Sequence, residues 1–221
     1  MHRSSPTATV LSVDLARPVQ FLTTALVAGA IGGAITFWGQ GVLPPWLSLW
    51  SNSPAPWAAF AVVAGVFAPR LGCALVGGVL AEWGLVLGYY QLSDTHTEWW
   101  NRFDGIWLGA SVAAGVVCGM VGWWCRSDRR WVRTAASTLL PAFALGTGLE
   151  FALRTDEHYE GSNVPDGLSL MIVAIVVIGS LPGKWHERFG RVGLTVCLGL
   201  AAWAATVWLV GPLLDSLFLS R

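Results

Sequence analysis

An all-α bundle of about seven transmembrane helices is the fold this sequence predicts, and three observations predict it. Of the 221 residues, 54% are hydrophobic and only 12% charged, too little polar surface to coat a soluble globule of this size. The apolar residues fall into seven runs near the length a bilayer demands, which is about 20 residues for a helix. The basic residues gather in alternate connections between those runs. Together these make the lipid bilayer the solvent of a single membrane-embedded domain, a multi-pass protein of the cell membrane. Formal net charge is zero and no basic tract is present, so nucleic acid is not an expected partner.

The first span is placed at 18–43. Its opening run resembles a secretory signal ending in Ala28-Gly29-Ala30, but the apolar stretch continues too far for a cleaved leader. The second and third spans, 53–68 and 71–90, are separated only by Pro69 and Arg70, which predicts an antiparallel hairpin with a proline-held turn. Spans at 105–125 and 134–153 follow. Pro141 falls inside the fifth and is expected to kink it. The sixth, 167–181, is short, and the seventh is placed at 192–214; loss of the short second span would leave six.

Orientation follows from the loop charges. An inside N-terminus gives the cytoplasmic side ten basic residues (Arg3, Arg17, Arg70, Arg126, Arg129, Arg130, Arg133, Lys184, Arg188 and Arg191) against three outside (Arg102, Arg154 and Arg221). Eight acids, Asp166 among them, fall on the outer side. The C-terminus is therefore expected outside.

Small residues recur at helical spacing in three spans. Ala25, Gly29 and Gly33 mark the first; Gly77, Ala81, Gly84 and Gly88 the third; Ser111, Gly115, Gly119 and Gly122 the fourth. Such stripes let helix backbones approach closely, the main route to association where lipid removes the hydrophobic drive between helices. The four cysteines, Cys73, Cys118, Cys125 and Cys197, have no metal-ligand spacing and are read as small packing residues.

Chemistry in such a chain is sought among ionisable groups placed in hydrocarbon, where each costs at least ~2.5–3.5 kcal/mol. Glu82, in the middle of the third span, is the clearest. Burial penalises its charged form, so it is expected to carry its proton. The plain alternative is a neutral glutamic acid hydrogen-bonded to another helix. Glu150 lies near the outer end of the fifth span, and Asp104 opens the fourth, where it is equally well read as a helix cap. Gln40, Asn52 and Ser53 add polar groups at similar depth, and all of these lie toward the outer leaflet. That convergence suggests a site.

Fourteen tryptophans are present. Trp46, Trp50, Trp99, Trp100, Trp123, Trp124, Trp131 and Trp185 fit interfacial belts. Trp38, Trp83, Trp107, Trp203 and Trp208 lie deeper, where an indole N–H needs a partner and the ring face attracts positive charge. No HExxH, GxSxG, P-loop or glycine-rich nucleotide signature occurs. Metalloprotease, serine hydrolase and NTPase chemistries are disfavoured, and neither metal nor other cofactor is expected.

These features fit a membrane-embedded enzyme acting on a lipophilic substrate. A neutral acid in a low-dielectric pocket can protonate an alkene or epoxide, and aromatic faces stabilise the carbocation without trapping it. Glu82, Asp104 or Glu150 would give the first proton or accept the last. Trp83, Tyr89 and Trp107 would line the cavity, with Gln40 and Asn52 as further substrate contacts. The stretch Gly-Gln-Gly-Val-Leu-Pro-Pro at 39–45, Asn52-Ser53 and Gly88-Tyr89-Tyr90, with the size and span pattern, resemble a family of small actinobacterial integral membrane proteins. They also resemble the bacterial membrane-bound terpene cyclases of drimentine-type pathways. That likeness implies proton-initiated, metal-independent cyclisation of a prenylated, farnesylated indole-type small molecule in secondary metabolism. It assigns no catalytic residue, and oligomeric state is left open. Two other classes fit as well. One is a small-molecule binding or transport subunit similar to the substrate-capture components of vitamin importers. The other is an accessory subunit without a ligand.

Overall fold

The computed structural model describes residues 6–44, 47, 50–51, 53–92, 98–153, 163–205 and 208, with the side chains of 6–15, 98–106 and 163 excepted. The described residues form seven helices and no strand: α1 (Pro6–Val42), α2 (Pro54–Phe67), α3 (Leu71–Tyr90), α4 (Glu98–Trp124), α5 (Arg130–Leu153), α6 (Asn163–Ser180) and α7 (Trp185–Ala205). The third span matches its predicted limits, whereas α1, α4, α5, α6 and α7 begin 4 to 12 residues before theirs. A helix does not stop where its apolar run stops, because polar residues continue it beyond the hydrocarbon layer. Four helical stretches are long and apolar enough to cross a bilayer: Ala16–Val42, Leu71–Tyr90, Trp107–Trp124 and Arg130–Leu153. α2, at 14 residues, reaches only about 21 Å. The apolar stretch Val164–Ser180 is also short.

Two compact units are present. The first comprises Met1–Trp38 and Trp57–Ser127, the second Gly39–Pro56 and Asp128–Arg221. In the first unit the small residues face inward. Gly29 and Gly33 of α1 lie so close to α3 that a Cβ on either would meet the carbonyl oxygen of Ala81 or Leu85. Gly77, Gly84 and Gly88 return the contact, against Phe21, Leu26 and Ala30. On another side of α3, Ala74 and Gly78 meet Gly119 and Gly115 of α4, while Gly122 of α4 meets Val62 of α2. Ala25, Ala64 and Ala81 form a core with Phe21 and Phe60. These pairings make α1 antiparallel to α2, parallel to α3, and α3 antiparallel to α4.

Large apolar side chains point the other way. Val27, Ile31 and Ile35, four residues apart on α1, are all exposed. In α6, Leu170, Ala174 and Ile178 are buried while Leu168, Ile172 and Val176 on the opposite face are exposed. A soluble protein would hide these residues, whereas lipid accepts them and rewards close packing of small ones. Hydroxyls obey the same solvent. Thr24, Thr36, Ser137, Thr138, Ser169 and Ser180 each donate to a carbonyl three or four residues back in their own helix, which satisfies them without water.

The hairpin between α2 and α3 turns at Ala68–Arg70 as expected. Arg126, just past α4, donates through one nitrogen to the carbonyls of Val66 (2.8 Å) and Ala68 (3.0 Å). Its guanidinium also lies 4.7 Å from the Trp123 ring centre. The last carbonyls of α2 have no partner within the helix, and a cation at that end is doubly favoured. In the second unit α5 continues through Pro141, which is buried. Gly148 of α5 faces Gly167 of α6, and Leu145 and Ala142 face Gly199 of α7. α5 and α6 are thus antiparallel and α5 and α7 parallel.

Candidate functional site

Glu82 belongs to the face of α3 that meets α4. Trp83 donates its indole N–H to the Leu108 carbonyl across the same seam at 3.1 Å. With Gly78 opposite Gly115 and Trp83 opposite Leu108, helical register brings Glu82 level with the buried Ser111. The Glu82 side chain is 4% exposed, and its Oε1 has no hydrogen-bond partner among the described residues. Glycines explain how it comes to be enclosed. Gly78 and Gly115 remove the side chains from the seam one turn before Glu82 and draw the two backbones together there.

Tyr89 lies two turns further along the same stripe of α3, about 10 Å up the axis. Its ring is the hub of an aromatic group, with centroids of Phe37 at 5.9 Å, Trp57 at 5.5 Å and Tyr90 at 5.0 Å, all edge-to-face. The close pairing of Gly33 with α3 and of Gly32 with Phe60 places the ends of α1, α2 and α3 together, which is why three helices supply four rings. Edge-to-face packing holds ring faces in fixed directions.

The other expected residues are spread more widely. Trp83 and Trp107 are in the same unit as Glu82, yet 37% and 42% exposed, so each presents much of its indole to the surroundings of the chain. Gln40 and Glu150 belong to the second unit and are half-buried. Gly146, one turn before Glu150, packs against Gly199 and Trp203, which directs the Glu150 side of α5 toward α7. Ser53, also in that unit, is fully buried, and its hydroxyl oxygen has no hydrogen-bond partner among the described residues. Asp104 lies within α4 but its side chain is outside the described residues, and Asn52 is outside them altogether.

One buried acid escaped the sequence reading. Asp166, counted there with the outer-loop acids, sits in the first turn of α6 and is 2% exposed. The Ser169 hydroxyl donates to its backbone carbonyl at 2.7 Å, and the Trp50 indole N–H donates to that hydroxyl at 2.6 Å. Trp50 is therefore tied to α6 and is more than an interfacial anchor. A signal was available: Asp166 shares a four-residue stripe with the buried Leu170, Ala174 and Ile178, and Pro165 just before it marks a helix start. Among the described residues no group of three metal-ligating side chains converges.

A family of unknown function (DUF6518) matches residues 13–215. The chain belongs to that family. The match takes in all four apolar helical stretches and every acid discussed above. Comparison with curated proteins and with solved structures produced no match.

Proposed function

We propose that this member of DUF6518 is a multi-pass enzyme of the cell membrane that starts carbocation chemistry on a lipophilic, prenylated substrate by protonation from Glu82. The single observation that carries the reading is the Glu82 carboxyl, enclosed in the α3–α4 seam with one oxygen unpartnered. A buried polar atom left unpaired costs about 1–3 kcal/mol, so a position that keeps one has a reason beyond packing. In the proposed reaction the Glu82 proton adds to a terminal alkene of a farnesylated indole-type molecule. A new carbon–carbon bond then forms from a neighbouring alkene to the cation. Loss of a proton from carbon returns the ring system to neutrality, so substrate and product are isomers. Tyr89, Phe37 and Trp57 are the rings on hand to steady the positive charge. Asp104, in the same unit as Glu82, is the further acid proposed to take the last proton.

The deciding experiment uses the full chain purified into lipid nanodiscs and given a farnesylated indole without added metal or nucleotide. A cyclic product of unchanged mass is expected. Glu82→Gln, which keeps shape but cannot release a proton of that acidity, should slow its formation on the order of 10²–10⁴-fold. Undiminished turnover in Glu82→Gln would remove the acid from the mechanism. Tight binding of the same compound with no chemical change would place the protein with binding or transport subunits instead.

A further inference from the structure

One end of the second unit gathers basic residues. α5 begins there, α6 finishes there and α7 begins there, because α5 runs antiparallel to α6 and parallel to α7. The three chain ends carry Arg129, Arg130, Arg133, Lys184, Arg188 and Arg191, six cations, against only Asp128 and Glu187. Arg130 pairs with Glu187 and so ties the start of α5 to the start of α7. The connection between α6 and α7 is likewise held in one shape. Gly183 has φ 155°, Arg188 Nε donates to its carbonyl at 3.1 Å, and Arg191 donates to the carbonyls of Leu181 (3.1 Å) and Pro182 (2.9 Å). Three large aromatic side chains stand out around this basic end. Trp131 is 70% and Trp185 72% exposed, and Phe189 packs edge-on against Trp185 with centroids 4.6 Å apart.

Cations alone would suit any anion, and exposed aromatics alone any apolar partner. Their combination on a rigid helix end, in a chain whose flanks face lipid, narrows the occupant. We propose that this end of the second unit is a binding site for the headgroup of an anionic phospholipid. Lys184 and Arg188 meet the phosphate, while Trp131, Trp185 and Phe189 sit at the glycerol level beside it. Tryptophan prefers that depth, and each lysine or arginine near an anionic lipid surface strengthens binding about five-fold. The inference is independent of the proposed chemistry at Glu82, which belongs to the other unit.

The test reads thermal unfolding of the full chain in neutral detergent with added phosphatidylglycerol, phosphatidylcholine or glycerol 3-phosphate. Phosphatidylglycerol should raise the midpoint at concentrations where the other two do not. Lys184→Gln combined with Arg188→Gln should weaken the phosphatidylglycerol effect on the order of 30-fold in midpoint concentration. Lys184→Arg combined with Arg188→Lys should retain it, which separates loss of charge from disturbance of the Gly183 turn. Equal stabilisation by phosphatidylcholine, an equal response to glycerol 3-phosphate, or an unchanged response in the double glutamine variant would each overturn the proposal.

Discussion

At the scale of the residue, Glu82 and Asp166 are both enclosed, but Glu82 lies mid-helix in α3 whereas Asp166 sits in the first turn of α6. An enclosed carboxyl with an unpartnered oxygen weakens the fold that holds it, so replacing it by an apolar group of similar size should help the fold and harm the function. Glu82→Leu is expected to raise stability by about 1–3 kcal/mol, read as a higher unfolding midpoint in detergent, while abolishing product formation. A lower midpoint would mean that the carboxyl is held by a partner and is structural. Trp83 makes the contrasting case. Its indole N–H to the Leu108 carbonyl is an ordinary helix-to-helix bond, and Trp83→Phe should cost about 0.5–1.5 kcal/mol with turnover retained. These two acid and indole positions are adjacent in sequence, yet Glu82 is enclosed in the seam while Trp83, which bridges it, is 37% exposed.

Elements are held together here by absence of side chains. Gly78 and Gly115 face each other across α3 and α4, and a Cβ at either would enter the neighbouring backbone. Gly78→Leu should therefore force the helices apart at a cost above the ~1–3 kcal/mol typical of overpacking, seen as loss of a monodisperse peak in size-exclusion chromatography. Gly72→Leu, on the same helix but with open space around it, should leave the peak unchanged. Arg126 belongs to this scale too, because one guanidinium closes the α2 terminus. Arg126→Met keeps the stem over Trp123 and loses the bonds to Val66 and Ala68; about 1–2 kcal/mol of stability should go with them, measured as a lower unfolding midpoint.

Over the whole molecule, charge and contact direction agree. Within the first unit Arg126 reaches the α2–α3 turn that carries Arg70, and within the second Arg130 and Glu187 join the starts of α5 and α7. Alternating helix directions within each unit are what the loop charges require, so an N-terminus inside the cell is the expected orientation. Single cysteines introduced at His186 and His158, in a background with the four native cysteines replaced by alanine, test it. The first should label only after membranes are opened, and the second in intact cells. The apolar runs, the short α2, the close-packed glycine stripes and the basic bias were all readable from residue order, because they depend on local composition and helical period alone. Depth in the bilayer is likewise local, which is why Glu82 stood out. Which face of a helix meets which neighbour is not local. Nothing in residue order told that the stripe through Gly77, Ala81, Gly84 and Gly88 would turn to α1 while Glu82 turned to α4, or that the helix turn carrying Asp166 would be tied through Ser169 to Trp50. Those outcomes rest on pairings between residues far apart in the chain, where the fit of one backbone against another selects a single packing among several that the same periodicity allows.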